Sequence, residues 1–328
     1  MKTLSPASAA LIRTLGGLLT PSGARASLLV LIYHRVLERK DSLLHGEPDA
    51  REFAAQLDII RSICRILPLE EAVDRLRSGS LPQRAVSITF DDGYANNRTI
   101  AAPLLKERGI PATVFVATGY LNGGRMFNDT VIETVRQAGP ELDLRELGYD
   151  RFELTDDAAR GKAIGALLSK LKYRPPAERV AGAEAIAEKV GASLPTDLMM
   201  TDAQVRELGA FGVSVGAHTV NHPILTSVHD DIARGEIANS RRTLQDMTGE
   251  AISLFAYPNG RPKRDYASVH ATMVREAGFK AAVSTAWGGA GRAVDFFQIP
   301  RMLPWDTSPL MFAGRLMRTY REQQVETA

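Results

Sequence analysis

Two pairs of side chains in this 328-residue sequence are of types that do chemistry together. Asp91 and Asp92 stand side by side in SITFDDGYANN (87–97), and His218 and His222 lie four apart in GAHTVNHP (216–223). Two imidazoles at that spacing can share one cation if the segment turns between them, and Pro223 fixes the chain beyond. A carboxylate from elsewhere would complete a two-histidine, one-carboxylate set, which suits a catalytic divalent ion with open positions. Either Asp91 or Asp92 can supply it. Adjacent carboxylates at a strand end point in different directions, so one can ligate while the other accepts a proton from activated water. Each run also has a plain structural use: Asp-Asp-Gly makes turns and helix caps, and loop histidines pair without a metal. The two runs together favour the metal.

The elements around these residues alternate. Ser27–Tyr33 (SLLVLIY) is a continuous apolar run typical of a strand buried on both faces. Helical patterns follow from Phe53 to about Arg65 and over Glu70–Arg77, then a second buried strand at Ala85–Phe90, a helix at Asn97–Arg108 and a strand over 112–118. Residues 122–200 are charged, Ala-rich and helical in period, and read as a helical insertion. Strand patterns return at Val213–Ala217, Ser253–Ala256, Ala281–Ser284 and Phe297–Ile299, with helices near 230–247 and 266–277. About seven parallel strands alternating with helices predict an α/β fold, a distorted (β/α) barrel, over 27–328. In such folds ligands gather where the strands end. His34, Asp91, Asp92, His218, Tyr257, Pro258 and Arg301 each follow a strand pattern.

Bulk properties narrow the reading further. A formal net charge of +2 and 6% aromatic residues give no footprint for nucleic acid. The one cysteine, Cys64, sits in an apolar helical pattern and reads as a buried thiol, so any metal must be held by His, Asp or Glu. Residues 1–26 form a separate amphipathic segment, with Leu4, Ala7, Leu11, Leu15 and Leu18 at helical spacing. It is expected to pack on the domain, with a peripheral membrane contact as the other use. A cytoplasmic location is expected, because Arg13 interrupts the run that a secretory signal would need.

The motifs carry a resemblance. Thr89-Phe90-Asp91-Asp92-Gly93 and His218-Thr219-Val220-Asn221-His222-Pro223 are similar to the two hallmark motifs of the polysaccharide deacetylases, carbohydrate esterase family four. LIYHRV (31–36), FAYPNG (255–260) and IPR (299–301) resemble a branch associated with exopolysaccharide biosynthesis. The resemblance implies a hydrolase that removes N-acetyl groups from amino sugars of a bacterial polysaccharide or its precursor. It implies Asp91 as base and Asp92, His218 and His222 as ligands of a metal, Zn2+ first, with Co2+ or Ni2+ possible. That metal would polarise the acetamide and acidify its water, with the Tyr94 N–H helping to hold the oxyanion.

The sequence departs from the family in two places. No arginine precedes Tyr257-Pro258-Asn259, where the family often keeps one to orient the base, and Arg301 is the candidate replacement. The family's late Leu-x-His, its usual general acid, is absent, and His34 is the candidate for that role. Tyr94, Tyr257, Pro258, Asn259 and Trp287 are candidate substrate contacts. Trp305 could stack on a sugar or pack, and Asp129 could face substrate or cap a helix. His229 and His270 read as surface residues. The alternatives are an O-acetyl esterase with the same machinery, a silent carbohydrate-binding relative, and a cyclic-amide hydrolase on the same barrel.

Overall fold

The computed structural model describes residues 3–306, 308–323 and 325–328, without the side chains of Leu18 and Leu19. Helix α1 (Pro6–Leu19) opens on Ser5, whose hydroxyl accepts the Ser8 N–H, with Pro6 in the first turn. Strand β1 (Leu28–Tyr33) is buried along its length. Helix α2 (Ala50–Ile63) begins with a reciprocal Asp49–Glu52 capping box. Strand β2 (Arg65–Ile66) and helix α3 (Leu69–Ser78) follow. Strand β3 (Ala85–Phe90) leads through a π-helical turn, Asn97–Ala101, into α4 (Ala102–Glu107) and β4 (Ala112–Val116).

The excursion that follows carries α5 (Phe127–Gln137), β5 (Glu141–Asp143), β6 (Arg151–Glu153), α6 (Asp157–Leu171) and α7 (Pro176–Val190). Its apolar residues, among them Val131, Val135, Leu142, Leu167 and Ile186, close into a cluster of their own. Residues 122–200 show little strand character in sequence. The structure adds the antiparallel β5–β6 hairpin, whose three-residue strands are too short to show a period. Helix α8 (Asp202–Glu207) returns the chain to β7 (Val213–Ala217), followed by α9 (Asp230–Thr248), β8 (Leu254–Ala256), α10 (Ser268–Glu276), β9 (Ala281–Val283) and α11 (Pro309–Thr319).

The main sheet runs β1-β3-β4-β7-β8-β9, parallel throughout, with β2 beside the first half of β3. Parallel bridges Val283↔Ile299 and Leu31↔Met302 place residues 299–302 between β9 and β1. The protein is therefore a distorted (β/α) barrel. A strand was expected at Phe297–Ile299. The segment bridges at Ile299 and Met302 instead of forming a continuous strand, because Phe297 and Gln298 turn their N–H groups onto Asp295 and Pro300 has none to offer the ladder. Where β1 and β3 end, Tyr33, Phe53 and Phe90 pack with ring centroids 5.2–5.7 Å apart, which stiffens the points from which His34 and Asp91 emerge.

Helix α1 forms, but the apolar stripe read from the sequence is not its buried face. Ala9, Ile12 and Gly16 face the body, whereas Leu11 and Leu15 are exposed and Leu18 lies outside the described side chains. Glycine explains the choice: a Cβ on Gly16 would lie 2.6 Å from Met317 Sδ, so the small-residue face is the one that α11 can approach. Among the described residues, no helix is long and apolar enough to cross a membrane.

Candidate metal centre and catalytic cavity

Asp91 and Asp92 leave β3 at its C-terminal end, and His218 leaves β7. The Asp91 N–H donates to Tyr33 O at 2.9 Å, and the Asp92 carbonyl accepts from Ala117 N at 3.1 Å, so both neighbouring strands hold the pair. Asp92 Oδ1 lies 3.5 Å from His218 Nε2 and 3.4 Å from His222 Nε2. Those separations are long for hydrogen bonds. They match what three ligands about 2.0–2.2 Å from one tetrahedral ion require of each other, about 3.4 Å. Asp92, His218 and His222 form a set that could hold a metal, their donor atoms all within 4.8 Å. His218 Nδ1–H donates to Ala256 O at 2.7 Å, which fixes the tautomer and leaves Nε2 free to ligate.

The loop carrying His222 is strained and clamped. Asp92, Thr219 and His222 have φ of 76°, 63° and 50°, left-handed values that cost a non-glycine residue about 1–3 kcal/mol. Glu236 on α9 offsets this: its carboxylate accepts from Val220 N, Asn221 N and Asn221 Nδ2 at 2.7–2.8 Å. Thr219 Oγ1 accepts the His222 N–H at 3.1 Å, and Arg179, buried in the insertion, donates to His222 O at 3.3 Å. Neither clamp was anticipated. Each shows as a charge on an otherwise apolar helical stripe, Glu236 with Ala233, Ile237 and Leu244, and Arg179 with Ala183 and Ile186.

Asp91 is held differently. Arg301, fully buried, meets it fork to fork: Nη1 to Oδ1 and Nη2 to Oδ2, both 2.7 Å. Nε of Arg301 donates to Ser284 O at 2.9 Å. The closing segment of the barrel thus delivers the arginine that the 255–260 run lacks. Burial works to raise the Asp91 pKa, but the charge of Arg301, with His218 next, outweighs it and holds the carboxyl below its ordinary range. Asp92 is likewise depressed, burial being overcome by the two histidines. For His222 burial wins and pushes the imidazole down to about 3, the neutral form that ligation needs. His218 goes the other way, raised against burial by the two aspartates.

These groups face a cavity of about 410 Å³ that His34, Tyr94 and Asn259 also line. Three of the expected contacts stand elsewhere. Tyr257 is fully buried, stacked on Tyr266 at 3.9 Å with its hydroxyl on Phe297 O, and is a packing residue. Trp287 donates to Glu322 at 2.5 Å beneath Arg315 and is not on the cavity wall. Pro258 is buried behind Asn259 and does not line the cavity either. Asp129 is not a helix cap; the cap of α5 is Met126. Asp129 is a buried carboxylate on the cavity wall, bonded to the Tyr94 hydroxyl at 3.1 Å, and burial raises it to about 7. His270 is buried rather than exposed, accepting the Ala267 N–H to cap α10.

A family model for polysaccharide deacetylases matches residues 78–153 and 180–282, more than half of the chain. The chain belongs to the polysaccharide deacetylase family. Among solved structures, this deacetylase-family chain is similar to the Streptococcus pyogenes deacetylase PplD in complex with acetate, with a TM-score of 0.59 and 21% identity over 90% of this chain and 99% of that one. IcaB from Ammonifex degensii gives 0.58 and 22% over 91% and 98%. Both likenesses are of fold. In sequence, the poly-β-1,6-N-acetyl-D-glucosamine N-deacetylase of Staphylococcus epidermidis is 33% identical over 116 residues, which span 31% of this chain and 40% of that protein.

Proposed function

We propose that the protein removes N-acetyl groups from amino sugars of a bacterial polysaccharide or its precursor, releasing acetate and leaving a free amine. One observation carries this reading: a carboxylate held ionised by a buried arginine, Asp91, stands next to a second carboxylate that shares a cation-sized space with two histidines. The name of the staphylococcal relative supports the N-linked acetyl group and the exopolysaccharide class.

Asp92, His218 and His222 would hold a divalent ion, Zn2+ first and Co2+ or Ni2+ next. When bound, the ion supplies Lewis acidity toward the acetamide carbonyl and lowers the pKa of water. The chain's own groups do the rest. Asp91 takes the proton of the attacking water, and Arg301 keeps its carboxylate ionised and in one orientation. The backbone bonds around Tyr94 run through Gly93 O and Ala95 N, which leaves the Tyr94 N–H outside that ladder and suits it to the developing oxyanion. His34, at the end of β1 and on the same cavity, gives a proton to the leaving amine. Asn259 and the Tyr94 side chain contact the sugar. The reaction is proposed to run in the cytoplasm, with Leu11 and Leu15 of α1 offering a peripheral membrane contact.

Matched oligosaccharides carrying either N-acetyl or O-acetyl groups test the reading. Acetate from the N-acetylated set, with a new free amine for each acetate, is the expected result. Release from the O-acetylated set alone would make the protein an esterase. Two substitutions check the ligand assignment by metal content. His222→Ala removes a ligand and should leave the purified protein largely metal-free. Glu236→Gln touches no ligand but swaps an acceptor for a donor beneath the loop, and should lower metal affinity by about 10–100-fold. Unchanged affinity in Glu236→Gln would show that the clamp does not act on the ligands.

A further inference from the structure

Trp305 is 59% exposed, although both of its chain neighbours are held inside the protein. Pro304 is buried, and its carbonyl accepts from Gln56 Nε2 at 3.1 Å, while Gln56 accepts the Tyr33 hydroxyl at 2.9 Å. Asp306, 8% exposed, is gripped by Arg315 at 2.7 and 2.8 Å. The indole thus stands on a fixed base with more than half of its surface left open in this chain.

That face forms one wall of a cavity of about 320 Å³, whose other walls include Lys40, His45, Glu52 and Gln56. A smaller cavity of about 220 Å³, bounded by His34, Glu47 and Trp305, shares residues with both this cavity and the catalytic one. Trp305 follows Arg301 by four residues, so an extended chain puts it no more than about 14 Å away. A pyranose ring has an apolar C–H face and hydroxyls around its edge. A fixed aromatic face flanked by the Lys40–Glu52 ion pair and the His45 imidazole complements both.

We propose that this groove is a distal sugar subsite, holding a pyranose of the same chain whose acetylated residue sits at Asp91; this rests on the N-deacetylase reading. Length dependence tests it, with β-1,6-linked N-acetylglucosamine dimer and hexamer as probes. In Trp305→Ala the ratio of kcat/KM for hexamer to that for dimer should fall about tenfold, chiefly through KM, and Trp305→Tyr should restore most of it. An unchanged ratio would overturn the proposal. Calorimetric binding of the hexamer to Asp91→Asn, with and without Trp305→Ala, needs no turnover. Trp305-dependent binding, together with no acetate release by the unsubstituted, metal-loaded protein, would keep the subsite and sink the deacetylase. Hexamer binding indifferent to Trp305, with loss of binding to anionic phospholipid vesicles instead, would assign the indole to a lipid surface and remove the subsite.

Discussion

Asp91→Asn should retain its full complement of metal and lose turnover by at least about 10³-fold, within the range that a positioned base contributes. The reason is the division of labour between neighbours. Asp92 faces both histidines through Oδ1, whereas Asp91 spends its two oxygens on Arg301 and lies 3.9 Å from His218 Nε2. Asparagine keeps the size of the side chain but has no charge with which to take a proton. It also leaves a buried guanidinium without its counter-ion, a change that typically costs about 3–5 kcal/mol of stability. Metal content, urea midpoint and rate should therefore be measured on one preparation. A correct result shows stoichiometric metal, a lowered midpoint and a collapsed rate. Metal loss equal to that of Asp92→Asn would show that Asp91 also holds the metal and that the division of roles between the two aspartates is wrong.

Arg301→Lys should cost about 10²-fold in kcat while leaving metal bound, because an ammonium cannot reproduce the planar fork that fixes Asp91. Arg301→Met should do more. Asp91 is depressed in the folded protein, so its ionised form stabilises the fold above about pH 3.9 and that stabilisation is lost as pH falls through the folded value. With the guanidinium gone, burial is the largest remaining influence and it acts upward. The acid limb of the kcat/KM profile should move to higher pH, and stability near neutrality should fall. An acid limb that stays in place in Arg301→Met would mean that Arg301 does not set the ionisation of the base.

Much of this site was legible before the structure because its parts sit at ends of strongly apolar strands. The runs 28–33 and 85–90 can only be buried, so His34, Asp91 and Asp92 had to emerge together on one barrel face. Arg301 was reachable by the same logic, although its register was not: Pro300 and the turn of Phe297 and Gln298 onto Asp295 leave the closing segment bridging only at Ile299 and Met302. The failures have a different physical origin. Tyr257 follows a strand as His218 does, but the direction of one side chain at a strand end depends on local backbone, and here it turns inward onto Tyr266. Trp287 was chosen for its type alone, and the C-terminal segment claims it through Glu322. Helix α1 shows that periodicity finds an apolar stripe but not which face a neighbour can approach, a choice made by Gly16 against Met317. Glu236 and Arg179 were missed because helical spacing reports burial, and a buried charge reveals its purpose only once its partners are known.

The most direct test of the account is metal-dependent acetate release from an N-acetylated oligosaccharide. Protein stripped with a chelator and then titrated with zinc, cobalt or nickel should regain activity in proportion to metal bound, saturating at one ion per chain. Acetate release by stripped protein at the rate of the reconstituted one, or no release from any N-acetylated oligosaccharide with one ion bound, would contradict it.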